Sequence, residues 1–100
     1  MNPKEAFNQL YDEFPFENYI NCKSLSNAYK TITDIVVKNL PIGSKILDFG
    51  CGPCDKTAVV ALLGHNCIAV DDMQDQWHRE SDNAKRILEF SKKIGITYIN

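Results

Sequence analysis

Apolar positions in the first 40 residues recur at helical spacing. Asn2, Pro3 and Glu5 form an N-cap, a first helical residue and a first-turn acid, so a helix is predicted to begin at Pro3. Its expected buried positions are Ala6, Phe7, Leu10, Tyr11 and Phe14, before Pro15 stops the pattern. A second helix is predicted from Ser24 or Ser26 to the segment NLPIG. Its expected buried stripe is Leu25, Ala28, Tyr29, Ile32, Ile35 and Val36. The intervening FENYINCK is predicted to be an irregular connection.

From Lys45 onward, short apolar runs alternate with helical patterns. KILDF is predicted to be a strand, followed by a helix from about Asp55 to Leu63 that Gly64 caps. NCIAVDD is a second strand that ends in two acids, and the polar MQDQWHRE is a predicted loop. A third helix is expected from about Ser81 to Gly95, and ITYI begins a third strand. The predicted buried positions of this helix are Ala84, Ile87, Leu88 and Ile94.

Two helices followed by β-α-β-α-β predict an α/β fold with a Rossmann-like, three-stranded parallel sheet and right-handed crossovers. Residues 1–43 would form an N-terminal helical segment, and residues 44–100 the first half of a Rossmann-like domain. Such a sheet leaves its first strand unpaired on one side, and an unpaired apolar edge is a liability. The pattern therefore indicates a truncated doubly wound domain. It also predicts a homodimer through the exposed sheet edge.

Charge and composition restrict the partners. A net charge of −2 over 100 residues gives no electrostatic reason to expect nucleic-acid binding. The longest apolar runs are too short to span a bilayer, and the N-terminus lacks a secretory pattern, so a cytoplasmic location is predicted. Cys22, Cys51, Cys54 and Cys67 are then expected to be reduced thiols.

The stretch DFGCGPCDKT, residues 48–57, is compatible with three chemistries. The CGPC tetrapeptide from Cys51 to Cys54 is typical of a thioredoxin active site, yet Gly50 stands where a thioredoxin has Trp, and no proline follows Pro53. A phosphate-binding P-loop needs glycine immediately before Lys-Thr, where this chain has Asp55. A carboxylate at that place would repel the phosphate.

The third interpretation is a nucleoside-binding α/β domain. Such a domain needs an apolar strand, a glycine loop, a helix, and a second strand that ends in an acid for the ribose hydroxyls. KILDF, GCGPC and Asp71 supply these parts, and Asp71 lies 19 residues after Gly52, close to the ~20 that this arrangement requires.

These residues resemble the class I S-adenosylmethionine-dependent methyltransferases. ILDFGCGPC is similar to the family's first motif, a strand followed by D-x-G-C-G-x-G, as far as Gly52, and Cys54 stands at the last glycine. LLGHNCIAVDD resembles the segment that closes the family's first helix and runs to its ribose-binding acid. The likeness is specific over about residues 40–75 and does not identify a substrate.

The resemblance implies a set of cofactor-binding residues: Asp48, Gly50, Cys51, Gly52, Asp71, Asp72 and Met73. Gly50 and Gly52 would pass beneath the methionine portion of S-adenosylmethionine, and Asp48 would position its amino group. Asp71 would bind the ribose hydroxyls, while Asp72 would share that role or cap the loop. Met73 would pack on the adenine or, as its type alone suggests, fill the core. Cys54 in place of glycine implies a slightly reshaped pocket.

Several further residues allow both a functional and a purely structural interpretation. Cys51 and Cys54 are expected to be small packing residues. A zinc site that joins them to Cys22, Cys67, His65 or His78 lacks a second C-x-x-C and an H-x(3–5)-H, so no metal is predicted. Trp77 and His78 would line the adenine pocket or, as the better interpretation, form an exposed lead-in to a helix. Phe16 and Tyr19 would fold over the cofactor as a lid.

The resemblance therefore predicts the cofactor-binding half of a methyltransferase that transfers a methyl group from a sulfonium to an unidentified acceptor. Acceptor-side residues in the family follow later strands, so no catalytic residue is named and independent activity is not expected. Two alternatives stay open: a nucleotide-binding module without catalysis, and a thiol-disulfide oxidoreductase that uses Cys51 and Cys54.

Overall fold

A computed structural model of the chain describes residues 1–16 and 23–100, including the side chains of all of these except residues 23–26. Five helices and three strands form within these residues, in an order that confirms the predicted α/β class. In chain order they are α1 Pro3–Glu13, α2 Lys23–Asn39, β1 Lys45–Phe49, α3 Asp55–Leu62, β2 Asn66–Val70, α4 Gln76–Arg79, α5 Asn83–Ile94 and β3 Thr97–Ile99.

Local capping explains where α1 begins. The Asn2 side chain accepts a 2.8 Å hydrogen bond from the Glu5 amide, and the Glu5 carboxylate accepts a 3.2 Å hydrogen bond from the Asn2 amide. This reciprocal capping box satisfies two amides at the helix end that have no partner within the helix, which confirms the predicted start at Pro3.

The three strands form one parallel sheet in the order β1-β2-β3. Lys45 pairs with Asn66 at one end of β1 and Phe49 pairs with Val70 at the other; β3 then pairs with the second half of β2. Among the described residues, β1 has no neighbour along its outer side, as predicted. The carboxyl ends of all three strands therefore meet at one edge, where the loops that follow β1 and β2 come together.

The two faces of the sheet differ in burial. The face that contains Cys67 and Ala69 is buried against helices, because α3 packs on β2 and α5 packs on β3. The opposite face leaves Leu47 63% and Phe49 83% exposed. Both crossovers run in the same direction along the sheet, so right-handed connections place α3 and α5 on the same side.

Helices α1 and α2 pack against α3 and extend the core beyond the sheet. Buried apolar residues from the N-terminal helices and from the βαβαβ unit form a single cluster. Its members include Ala6, Leu10, Phe14, Tyr29, Ala58, Val59, Val60, Cys67, Ala69, Ile87 and Phe90. Residues 1–16 are thus packed on the same core as the sheet.

Three expected core positions are wrong: Tyr11, Ile35 and Leu88 are exposed. Each lies next to the buried stripe of its own helix. Leu10 belongs to that stripe in α1, and Ile87 belongs to it in α5. A helix contacts its neighbour through a stripe whose exact rotation depends on the packing partner, which the spacing of apolar residues does not specify. The exposed side chains lie at the margins of those stripes.

The segment after β2 also differs from its prediction. MQDQWHRE was expected to be a loop, but Gln76–Arg79 form the short helix α4, and α5 begins at Asn83 rather than near Ser81. Asp75 caps α4, because its carboxylate accepts a hydrogen bond from the His78 amide. The predicted irregular connection FENYINCK falls mostly on residues 17–22, outside the described residues. No helix in the described parts of the chain has the length and apolar character needed to cross a bilayer.

Candidate functional site

The loop between β1 and α3 lies at the carboxyl end of the sheet. The amides of Gly50 and Cys51 both donate to the Val70 carbonyl, at 2.7 and 3.1 Å, and hold the loop against the end of β2. Gly50 and Gly52 have φ angles of 77° and 57°. Side chains disfavour this left-handed region, so glycine is the residue that allows the chain to turn here.

Asp71 joins the end of β2 to this loop. One carboxylate oxygen accepts a 2.9 Å hydrogen bond from the Gly52 amide, and the other accepts a 2.9 Å hydrogen bond from the Met73 amide. The acid predicted for ribose binding therefore lies against the glycine loop. Each carboxylate oxygen has a second lone pair, so both remain able to accept from a hydroxyl group.

His78 holds the same glycine from the other side. Its Nε2 lies 3.2 Å from the Gly52 carbonyl, and its Nδ1 makes a short contact with the Asp75 carboxylate. Both partners are acceptors, so this geometry suits an imidazolium that donates from both nitrogens. His78 is 3% exposed, so the preferred interpretation of an exposed helix lead-in is wrong. The polar segment MQDQWHRE gave no signal for this contact, which needs a helical turn from Asp75 to His78.

The pKa shifts of His78 and Asp75 agree with the hydrogen bonds that His78 makes. Burial alone would lower the pKa of His78, but the hydrogen bonds to Asp75 and to the Gly52 carbonyl outweigh it and raise that pKa above its ordinary value. The same hydrogen bond to His78 lowers the pKa of the exposed Asp75 carboxyl. The amide and the carbonyl of Gly52 are thus held by Asp71 and His78, both from the segment after β2.

Two depressions meet at Asp71. One has a volume of about 410 Å³ and is lined by Phe49, Gly50, Val70, Asp71, Asp72 and Asn100. The other, of about 380 Å³, is lined by Gly52, Pro53, Asp71, Asp75, Trp77 and His78. A third depression, of about 360 Å³, lies between α1 and α2 and contains none of the loop residues. Ligands of parallel α/β sheets bind beyond the carboxyl ends of the strands, which is where Asp71 lies.

Asp48 lies apart from these two depressions. Its carboxylate accepts a 2.6 Å hydrogen bond from the Thr57 hydroxyl, and it lines a separate cavity of about 210 Å³ beside α3. The structure therefore brings Gly50, Gly52 and Asp71 together at one place. It gives Asp48 a contact that ties β1 to α3.

The neighbours of Asp71 occupy different environments. Asp72 is exposed, lines the 410 Å³ depression, and caps the following turn through a 3.0 Å hydrogen bond from the Gln74 amide. Met73 is buried and belongs to the core cluster, in agreement with the plain interpretation of its type. Its φ angle of 57° allows the turn that brings its amide back to Asp71.

The two cysteines of the loop lie side by side. The Cys54 thiol donates to Cys51 across 3.3 Å, and both residues are buried, at 0% and 8% exposed. Cys54 has a φ angle of 65°, in the left-handed region. Glycine adopts this backbone conformation more readily than residues with a side chain do.

Asp71, Asp75 and His78 place potential metal ligand atoms within 4.8 Å of one another. Both nitrogens of His78 already have acceptor partners, however, and both oxygens of Asp71 accept amide hydrogens. We interpret this group as a hydrogen-bonded support for the loop.

The N-terminal segment reaches the margin of the site. The Phe16 ring packs edge-on against Trp77, with centroids 5.0 Å apart, and the Arg86 guanidinium lies 4.4 Å from the Phe16 centroid. Trp77 in turn lines the depression beside Gly52. The contact with Trp77 therefore places Phe16 next to a residue that lines this depression. Tyr19, the other residue of the predicted lid, lies outside the described residues.

Comparisons of the chain with protein-family models, with curated proteins and with solved structures return no match.

Proposed function

We propose that this chain is the S-adenosylmethionine-binding portion of a methyltransferase. The observation that carries the proposal is the contact between the Asp71 carboxylate and the Gly52 amide, at 2.9 Å. It joins a glycine loop to the acid that ends the next parallel strand, beside an open depression of about 410 Å³. This combination suits a nucleoside whose ribose meets the acid and whose attached chain crosses the glycines.

The roles of the protein groups follow from this geometry. Gly50 and Gly52 have no side chains, so the ligand can approach their backbone closely, and Asp71 can accept hydrogen bonds from two ribose hydroxyls. Asp72 lines the same depression and is available to share the ribose contact. The bound sulfonium would supply an activated methyl group for in-line transfer to an O, N or C nucleophile. The protein would accelerate that transfer mainly by orienting the donor and acceptor.

The first test is calorimetric titration with S-adenosylhomocysteine, comparing the unmodified chain with Asp71→Ala. Loss of hydrogen bonds to a charged group costs about 1.5–3 kcal/mol, so the affinity should fall about 10-fold to 100-fold. Asp34→Ala is the matched control, because it removes the same charge from an exposed position on α2. Absence of saturable binding by the folded, unmodified chain would overturn the proposal.

Asp71 also holds the loop, so a second ligand pair separates the two roles. The unmodified chain should prefer 5′-methylthioadenosine to its 2′,3′-dideoxy analogue, and Asp71→Ala should remove that preference. A damaged loop would instead weaken both ligands by the same factor. Equal affinity of the unmodified chain for the two ligands would exclude Asp71 as the ribose-binding residue.

A thiol-disulfide oxidoreductase is the second candidate, and the 3.3 Å separation of the two sulfurs favours it. The attacking sulfur of such an enzyme must reach a disulfide in its substrate. Burial of both cysteines opposes access by a protein substrate. Insulin reduction that is lost in both Cys51→Ser and Cys54→Ser would support this candidate over the first.

A nucleotide-binding module without catalysis would use the same loop and the same acid. Tight binding of S-adenosylhomocysteine without methyl transfer, also in a longer chain that includes further strands, would favour it.

A further inference from the structure

The turn that carries the glycines also brings two thiols into contact. The Cys54 amide donates to the Cys51 carbonyl at 3.1 Å, which closes a four-residue turn through Gly52 and Pro53. This turn places the two sulfurs 3.3 Å apart. An S–S bond is about 2.05 Å long, so the sulfurs need to approach by little more than 1 Å to become linked.

We propose that Cys51 and Cys54 form a reversible disulfide that lowers the affinity of the glycine loop for its nucleoside ligand. The oxidant is a small peroxide. The effect on affinity rests on the function proposed above, whereas formation of the disulfide does not.

The surroundings of the two thiols assign them different roles. The hydrogen bond donated by Cys54 lowers the pKa of Cys51, against the opposing effect of burial, and the nearby Tyr98 lowers it further. The Tyr98 hydroxyl is buried and has no hydrogen-bond partner within the described parts of the chain, so it is available to donate to the sulfur. The pKa of Cys54 is raised, first by its hydrogen bond to Cys51 and then by burial. Cys51 is therefore the nucleophile and Cys54 the resolving thiol.

Hydrogen peroxide is the one co-reactant that oxidation of the two thiols requires. The Cys51 thiolate attacks one oxygen of hydrogen peroxide, which breaks the O–O bond and gives a sulfenic acid and hydroxide. The Cys54 sulfur then attacks the Cys51 sulfur, the S–O bond breaks, and the thiol proton leaves with hydroxide as water. In sum, two thiols and one peroxide give one disulfide and two waters, and a dithiol reverses the oxidation.

Burial selects the size of the oxidant. Cys51 is 8% exposed, so little of it can be reached from solvent, which favours a small oxidant over a protein. Cys67 serves as an internal comparison, because it is also a buried free thiol and burial raises its pKa to about 11. Peroxide should therefore react at Cys51 well before Cys67.

Closing the disulfide must move the loop. Gly52 lies between the two cysteines, and its amide and carbonyl are held by Asp71 and His78. Drawing the two sulfurs together by about 1 Å therefore pulls on the turn that carries them, strains these hydrogen bonds and displaces the backbone that the ligand approaches. The reduced loop is the form whose geometry suits binding.

The experiment uses the full chain with Cys22→Ser, so that thiol counts refer to the described cysteines. After one equivalent of peroxide, free thiols are alkylated and the chain is digested with trypsin. Cleavage after Lys45 and Lys56 places both loop cysteines in the peptide of residues 46–56, and Cys67 in another peptide. We expect the first peptide to lose two hydrogens and to escape alkylation, while Cys67 is alkylated.

Two further measurements complete the test. Cys54→Ser should stop at a sulfenic or further oxidised Cys51, and S-adenosylhomocysteine should bind the oxidised chain at least 10-fold more weakly than the reduced chain. Disulfides between chains, or equal reaction at Cys67, would overturn the proposed pair. Equal affinity of both forms would overturn the switch and leave the proposed function intact. Failure of the reduced chain to bind would reject the function, whereas the peptide result would stand.

Discussion

The Tyr29 hydroxyl donates a 2.6 Å hydrogen bond to the carboxylate of Asp55, the first residue of α3. Tyr29 belongs to α2, so this buried contact fixes the N-terminal helices to the helix that follows the glycine loop. Lys56 lies 3.5 Å from the same carboxylate and gives it a partly exposed cation. A carboxylate in the first turn of a helix is also favoured by the helix dipole.

Tyr29→Phe should destabilise the fold, because it removes the donor from a buried carboxylate. The expected loss in the free energy of unfolding is about 1–3 kcal/mol, measured by urea denaturation. Tyr11→Phe is the control, since Tyr11 is exposed and its change should lie within about 0.5 kcal/mol. Equal midpoints for the two variants would contradict the importance of the buried contact.

The raised pKa of His78 predicts a pH dependence of stability. A histidine whose pKa is higher in the folded state stabilises that state fully below its unfolded pKa of about 6.5, and this contribution is lost as the pH rises through the folded value. The stability gap between the unmodified chain and His78→Gln should therefore be largest at acidic pH. It should shrink toward alkaline pH.

Direct NMR titration of the His78 ring checks the same prediction, with His65→Gln used to assign the two histidine signals. A midpoint below about 6.5 would contradict the double hydrogen bond to Asp75 and the Gly52 carbonyl.

Position 54 should favour glycine over alanine. Both substitutions remove the thiol, but the φ angle of 65° is readily adopted only by glycine. Cys54→Gly is therefore expected to be more stable than Cys54→Ala by about 1 kcal/mol, the reverse of the usual order in regular structure. Parallel urea denaturation of the two variants measures the difference, and greater stability of the alanine variant would show that the loop can change its backbone conformation.

Self-association through β1 is a further prediction. The outer side of this strand has no partner among the described residues, and its Leu47 and Phe49 side chains are exposed on the open face of the sheet. Sedimentation equilibrium should show a dimer that Leu47→Lys shifts toward monomer, because lysine on an edge strand opposes pairing. Ile35→Lys adds the same charge to an exposed position on α2 and should leave the dimer unchanged. A monomer at all concentrations would reject this association.

Much of the fold was predictable because local signals agree. The Asn2–Glu5 capping box, the alternation of helical and strand patterns, and the glycines after β1 each depend on residues close in sequence. The rotation of each helix about its axis was not predictable in the same way, since Tyr11, Ile35 and Leu88 satisfy the spacing and yet face solvent. The candidate site likewise combines a feature that the sequence predicts with one that depends on tertiary packing. The proximity of Asp71 to Gly52 follows from two adjacent parallel strands, whereas the separate cavity of Asp48 depends on packing against α3.

The sequence by itself determined the order of the three strands and of four of the five described helices, the parallel sheet with β1 at its edge, and the meeting of a glycine loop with an acid at the ends of β1 and β2. These follow from periodicity and from chain connectivity. Only the tertiary structure decided that His78 holds Gly52, that Tyr29 meets Asp55, and that the sulfurs of Cys51 and Cys54 lie 3.3 Å apart. Hydrogen bonds and thiol contacts depend on distances of a few tenths of an ångström, and those are set when separate elements pack together.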